Sequence, residues 1–284
     1  MARRDADGAY RGSTTAADDP PTVIDGVPSK CLTFILTGDW AHYRRIDRTV
    51  TKQTYRVPPR TTIAGMLAAV VGVGRDGYYD VFADDVSALA VELLEAPRTV
   101  SMPQLGLGTN PSETFESRGG SGKRTVKVQY PDSTDDRQLH SYHYLVEPAY
   151  RVSVAVEDPV FYGTLRDRLE TGTAYYTPTL GLSELHASLG YGPAGTGEFD
   201  VESPTFDGRL DVASLVPDGI DAVYPDQGSS YAVERVPGTM QTDGTARKTT
   251  TYVDYAFRED AGSLAVDASE LPVVTVDDRN VVFA

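Results

Sequence analysis

The chain has 284 residues, enough to bury a full core as one large domain or two modest ones. Its 41 acidic against 26 basic residues leave a formal charge of −15, which excludes a uniformly basic nucleic-acid surface. The single cysteine, Cys31, excludes an intrachain disulfide and a cysteine-rich zinc site, and no segment reaches the roughly 18 apolar residues of a membrane helix.

The acidity has a physical reading of its own. Only five lysines (Lys30, Lys52, Lys123, Lys127 and Lys248) stand beside many more arginines, and an acid-rich, lysine-poor surface suits a halophilic cytoplasm. The N-terminus carries no hydrophobic signal core, so the expected location is cytoplasmic. At about 1 M ionic strength the Debye length is only about 3 Å, and a diffuse positive field steers little. A nucleic-acid site in such a protein must rely on stacking, forked arginine contacts and shape.

Residues 1–29 are polar and poor in large apolar side chains, and are expected as a disordered lead-in. From Cys31 to Thr37, Leu32, Phe34 and Leu36 alternate with Thr33 and Thr37, the period of a half-buried strand, with Cys31 turned to a core. A helix opening near Thr61 carries Ile63, Met66, Leu67, Val70 and Val71 on one face. Pro58-Pro59 precede it, a threonine is placed to cap it, and Gly72 and Gly74 end it. Gly72 to Gly77 spells G-x-G-x-x-G, but it follows a helix where a dinucleotide site needs a strand, so it reads as a helix stop and turn. A strand follows at Ala88–Glu95, then an excursion from about Pro97 to Tyr142 that holds Gly119-Gly120-Ser121-Gly122, Lys123, Arg124, Lys127 and Tyr130. Tyr150, Val152, Val154 and Val156 mark a further strand. A second helix starts at Asp158-Pro159, buries Phe161, Leu165 and Leu169, and stops at Gly172. With a last strand near Leu185–Tyr191, the order is that of an α+β, ferredoxin-like domain. The expected division is a tail (1–29), a ferredoxin-like domain (30–205, insertion about 97–142) and a small β-rich C-terminal domain (206–284).

Local charge departs from the global balance in one place. Between His42 and Arg60 lie Arg44, Arg45, Arg48, Lys52, Arg56 and Arg60 against one acid, Asp47. Trp40, Tyr43 and Tyr55 sit among them, and rings beside guanidinium groups suit unpaired nucleotides, whose bases stack while their phosphates are held. Trp40, His42 and Tyr43 follow a strand end, where side chains can leave the sheet to stack on a base or touch a sugar; the competing reading keeps Trp40 in the core and His42 in a local hydrogen bond. The helix N-terminus offers a phosphate site, with Arg60 as forked donor and Thr61 or Thr62 as hydroxyl; the alternative pairs Arg60 with a surface acid and leaves the threonine as a cap. The four histidines (His42, His140, His143 and His186) are too scattered to argue a metal site, and no cofactor is implied.

The runs TGDWAHYRR, TYRVPPRTTIAGMLAAVVG and RDGYYDVF, followed later by YYTPTLGLSE, resemble the Cas-five family of CRISPR-associated proteins, within the RAMP superfamily. The resemblance is close over about residues 31–95 and returns at 175–184. It implies the same ferredoxin-like fold and a non-catalytic subunit that holds the 5′ handle of a CRISPR RNA (crRNA) in a type I Cascade complex, of a haloarchaeal-like type I-B kind. It implies contacts with the large subunit and the first backbone subunit, and an inserted thumb hairpin at residues 115–131 that brings Lys123, Arg124 and Lys127 to the crRNA. Some relatives cleave precursor RNA without metal, using a tyrosine and an adjacent lysine–histidine pair. Here Tyr43 matches the tyrosine, but no Lys-His pair exists, and His140 and His143 are the remaining candidates for a base. The expectation is therefore RNA binding without cleavage, with an endoribonuclease and a protein-only scaffold as alternatives.

Overall fold

The computed structural model describes residues 10–45, 51–107, 137–243 and 246–284. The first long strand, β1 (Lys30–Thr37), places Leu32, Phe34 and Leu36 on one face and Cys31 and Thr33 on the other, all of them buried. Helix α1 (Arg60–Val71) follows, then β2 (Ser87–Leu93), and β3 (Arg98–Leu107) pairs with β4 (Arg137–Val146) as a long two-stranded arm. Next come β5 (Ala149–Val156), α2 (Pro159–Thr171), the short β6 (Ser188–Gly190) and β7 (Gly197–Glu202). Beyond them lie β8 (Tyr231–Pro237), β9 (Tyr252–Arg258), β10 (Val273–Val276) and β11 (Arg279–Val282).

The helix ends follow local chemistry. At α2 the Asp158 carboxylate accepts from the Phe161 N–H at 2.7 Å, Pro159 occupies the first turn, and Gly172 closes the helix in the left-handed region (φ 63°). At α1 the expected threonine cap is absent. Pro59 is the capping residue, with no side-chain bond, and its carbonyl accepts from Thr62 N–H and Ile63 N–H at 2.9 and 3.1 Å. The prolines set the extended backbone needed there, so no hydroxyl is required.

The main sheet runs β11-β10-β7-β1-β5-β2, with β6 also pairing β1. One face of its central strands packs with both helices: Leu32, Phe34, Val91, Val152 and Val154 share a cluster with Ile63, Leu67, Phe161 and Leu165. The other face, lined by small residues (Cys31, Ala88, Ala90, Ala155), is covered by Val274, Val276, Val281 and Phe283 around the β10–β11 hairpin. The ends of the sheet meet, because Ala284 exchanges backbone hydrogen bonds with Leu89 of β2 at 3.0 and 3.1 Å. Strands β8 and β9 form a second sheet whose Ala232, Val236, Tyr255 and Phe257 join the core around α1.

The polar lead-in differs from expectation over residues 10–29; residues 1–9 lie outside the described chain. Tyr10 Oη donates to Asp158, Arg11 N–H to Gly72 O at 2.9 Å and Ala17 N–H to Pro159 O at 2.8 Å, so the segment straps the two helices together. Gly163 makes room for it: a Cβ there would sit 2.5 Å from Ala17 N and 2.6 Å from Thr15 O. Backbone hydrogen bonds do the ordering, which a composition of small polar residues does not reveal.

Candidate nucleic-acid interface

Three strand pairings build the root of the β3–β4 arm. Leu145 and Val146 face Ala41 and Trp40 in antiparallel register, Ser141 and Tyr142 face Thr51 and Lys52 in parallel, and Tyr43-Arg44 pair with Tyr55-Thr54. Arg44, Arg45 and Lys52 of the basic block are thereby laid along the base of the arm. Arg44 and Arg45 are exposed, Lys52 is half-buried, and the Arg45 guanidinium lies 5.3 Å from the Tyr55 ring centre. On the arm, Tyr142 and Tyr144 share a face with ring centres 6.2 Å apart and planes at 26°, and Trp40 meets Tyr144 edge-on. Gln104, across the ladder, donates to the Tyr144 hydroxyl. Half-buried Tyr142, in register with Lys52, can stack a base while the exposed guanidinium groups of the root hold phosphates.

His42 and Tyr43 turn inward instead of outward. His42 is 1 % exposed, its Nδ1 lies 2.7 Å from the His143 carbonyl, and its ring centre lies 5.3 Å from that of Tyr142. Tyr43, also 1 % exposed, packs against Tyr150, and burial pushes its hydroxyl well above the ordinary range. Trp40 is half-buried and Tyr55 buried, which makes them supports for the root more than free stacking faces.

The helix N-terminus does not supply the expected phosphate site. Arg60 is 1 % exposed; its guanidinium donates to Phe82 O (2.8 Å), Ser87 O (3.0 Å) and Ser87 Oγ (2.7 Å), and it reaches Asp84 at 3.2 Å. It thus fastens the connection from α1 to β2, with both terminal nitrogens of its guanidinium bonded within the protein. Thr61 and Thr62 are half-buried, and Thr61 lines a small recess with Tyr78, Phe82 and Met240. Arg56 is also committed. Its Nε meets Glu234 at 2.8 Å, Glu234 accepts from the Arg56 N–H at 2.7 Å, Glu259 pairs with it, and it lies over Phe257. Arg48, Lys123, Arg124 and Lys127, and the thumb at 115–131, lie outside the described residues.

Of the residues the sequence singled out, the root therefore gathers Arg44, Arg45 and Lys52, backed by Trp40 and Tyr55. Tyr142, Tyr144 and Gln104 were missed. The signal was the period-two spacing of His140, Tyr142 and Tyr144, which gains meaning only once the register with Thr51 and Lys52 is known. A cleft of about 500 Å³ elsewhere is lined by Asp76, Asp80 and Asp84, a chemistry that repels phosphate. Among the described residues no three His, Cys, Asp or Glu side chains gather as a metal site, and no helix is long and apolar enough to cross a membrane.

Fold and site together define a protein whose described residues are mostly β, with two α-helices and a two-stranded arm whose root is basic and aromatic. The sequence model of the CRISPR-associated Cas5 proteins matches residues 31–191, more than half of the chain, and the chain belongs to that family. Among solved structures it is similar to a chain of a CRISPR RNA-guided surveillance complex (TM-score 0.47, 16% identity, covering 84% of this chain and 92% of that one). It is also similar to a chain of a type III-B Cmr-beta complex bound to cognate target RNA and AMPPnP (TM-score 0.44, 12% identity, 84% and 86% covered). A third similar chain is a Cas protein (TM-score 0.40, 14% identity, 85% and 97% covered). No curated protein matches the chain.

Proposed function

We propose that this protein is the non-catalytic subunit of a type I CRISPR Cascade complex that grips the 5′ handle of the crRNA. The observation that carries this reading is the convergence of Arg44, Arg45 and Lys52 with Tyr142 at the root of the arm. Exposed guanidinium groups hold phosphates, the Tyr142 ring takes a base, and target sequence is left to pairing by the guide. The strand order β7-β1-β5-β2 with both helices on one face supports a ferredoxin-like RAMP domain. The family then suggests that the subunit caps the backbone filament and touches the large subunit and the first backbone subunit. Absence of cleavage is supported by Tyr43, whose hydroxyl is buried in the core, and by the lack of a Lys-His pair in the sequence. The acid-rich remainder fits a salt-adapted cytoplasmic protein.

The test is a native gel with labelled repeat RNA in concentrated potassium chloride without magnesium, paired with a denaturing gel. A shift of intact RNA that Arg44→Ala, Arg45→Ala and Lys52→Ala together abolish supports the reading. Site-specific cleavage upstream of the handle would replace it with an endoribonuclease. A shift that survives all three substitutions would remove the root from the RNA path.

A further inference from the structure

His42 sits where one strand changes partners. Trp40 and Ala41 pair with the arm, whereas Tyr43 and Arg44 pair with Tyr55 and Thr54. Continuing the first register would place Tyr43 opposite His143, but Tyr43 has turned away, and the His143 carbonyl is met instead by His42 Nδ1 at 2.7 Å. The rest of His42 is fixed from a third direction. Its N–H donates to Leu180 O at 3.0 Å, and its carbonyl lies so close to Gly181 (φ 102°) that a Cβ there would fall 2.0 Å away. One residue thus ties together the body strand, the loop after α2 and the arm.

We infer that His42 is a positioning residue, whose Nδ1–H bond to the His143 carbonyl sets where the β3–β4 arm stands over the basic root. The inference rests on the proposed RNA grip, since the arm matters through Tyr142, the residue just before the one whose carbonyl His42 holds. A carbonyl can only accept, so the neutral ring carries its proton on Nδ1 and leaves Nε2 bare. Nε2 is buried and has no hydrogen-bond partner among the described residues.

That arrangement gives the latch a pH response. Burial holds the ring below its ordinary value and Arg44 and His143 act the same way, opposed by the carbonyl bond and Glu184; Tyr142 and Tyr144 are the other titratable groups against it. An unfolded histidine titrates near about 6.5. The folded ring titrates lower, so the hold is complete above about 6.5 and is lost as pH falls below it, where the detached ring binds the proton more readily.

The test uses the full chain carrying spin labels at Leu139→Cys on the arm and Glu170→Cys on α2, both exposed, with the native Cys31 buried. Inter-label distances are read in RNA-free protein. His42→Asn keeps a donor where Nδ1 stands and should preserve one narrow distance; His42→Gln places its amide where Nε2 stands and should broaden it. Lowering the pH from about 7.5 to about 5.5 should broaden the wild-type distance and leave His42→Asn, which retains His143, unchanged. An unaltered distribution in His42→Gln, or equal pH responses in wild type and His42→Asn, overturns the inference. Should His42→Gln fail to fold, the pH comparison alone decides. In the gel assay His42→Gln should weaken repeat-RNA binding about tenfold, the scale of one buried hydrogen bond. A latch that works in a protein that never binds RNA would overturn the proposed function while upholding the role of His42.

Discussion

Arg60→Ala separates a structural arginine from an RNA-binding one. The guanidinium makes three bonds of 2.7–3.0 Å to Phe82 O, Ser87 O and Ser87 Oγ, and charge-assisted bonds are each worth about 1.5–3 kcal/mol. Two corrections lower the sum. Ser87 Oγ keeps its own bond to Ala83 O at 2.8 Å, and Asp84, 60 % exposed, adds little. Removing the side chain strands two buried carbonyls, so the expected loss is about 3–5 kcal/mol. For a chain of this size that lowers Tm by about 10 °C. Thermal melts in concentrated potassium chloride measure it, alongside the RNA gel run below both midpoints. Arg60→Ala should melt early yet still shift RNA while folded, whereas the Arg44, Arg45 and Lys52 variant should lose the shift with a much smaller fall in Tm. A Tm within about 2 °C of wild type together with a lost shift would refute the reasoning, because it would return Arg60 to the RNA surface.

Tyr142→Ala should weaken repeat-RNA binding by about 1–3 kcal/mol, the scale of one stacked base, while Tyr142→Phe binds like wild type; equal losses would point to the hydroxyl instead. Gly163→Ala drives a Cβ into the backbone at Thr15 and Ala17, so the strap over residues 10–19 should become protease-sensitive. Because α2 gains up to about 1 kcal/mol of helix propensity, global melting should move little, and a protected strap would contradict the packing argument. Cys31 is fully buried and its thiol is pushed up to about 11, so a thiol reagent near neutral pH should label it only at the rate of unfolding. Fast labelling of native protein would show that the β10–β11 cover opens.

What the sequence disclosed was local. Asp158, Pro159 and Gly172 mark both ends of α2 because capping acts within one turn, and the alternation of Leu32, Phe34 and Leu36 marks β1 because a strand face repeats every second residue. What it hid depends on partners far along the chain. Arg56 is a structural residue because Glu234, 178 positions away, reaches it, and Arg60 because Phe82 and Ser87 come back beneath it. A run of cations looks alike whether its partners are phosphates or its own carbonyls. Tyr142 became part of the site only through its pairing with Lys52, a long-range register that spacing does not encode.

The meeting of Ala284 with Leu89 bears on how copies of this protein meet one another. A charge of −15 would ordinarily hold copies apart, yet at about 1 M salt that repulsion reaches only about 3 Å. At that seam the outward amide and carbonyl of Leu89 are taken by Ala284, so a second copy cannot extend the ladder from them. The seam is therefore a guard against edge-to-edge pairing that, unlike charge repulsion, added salt does not screen.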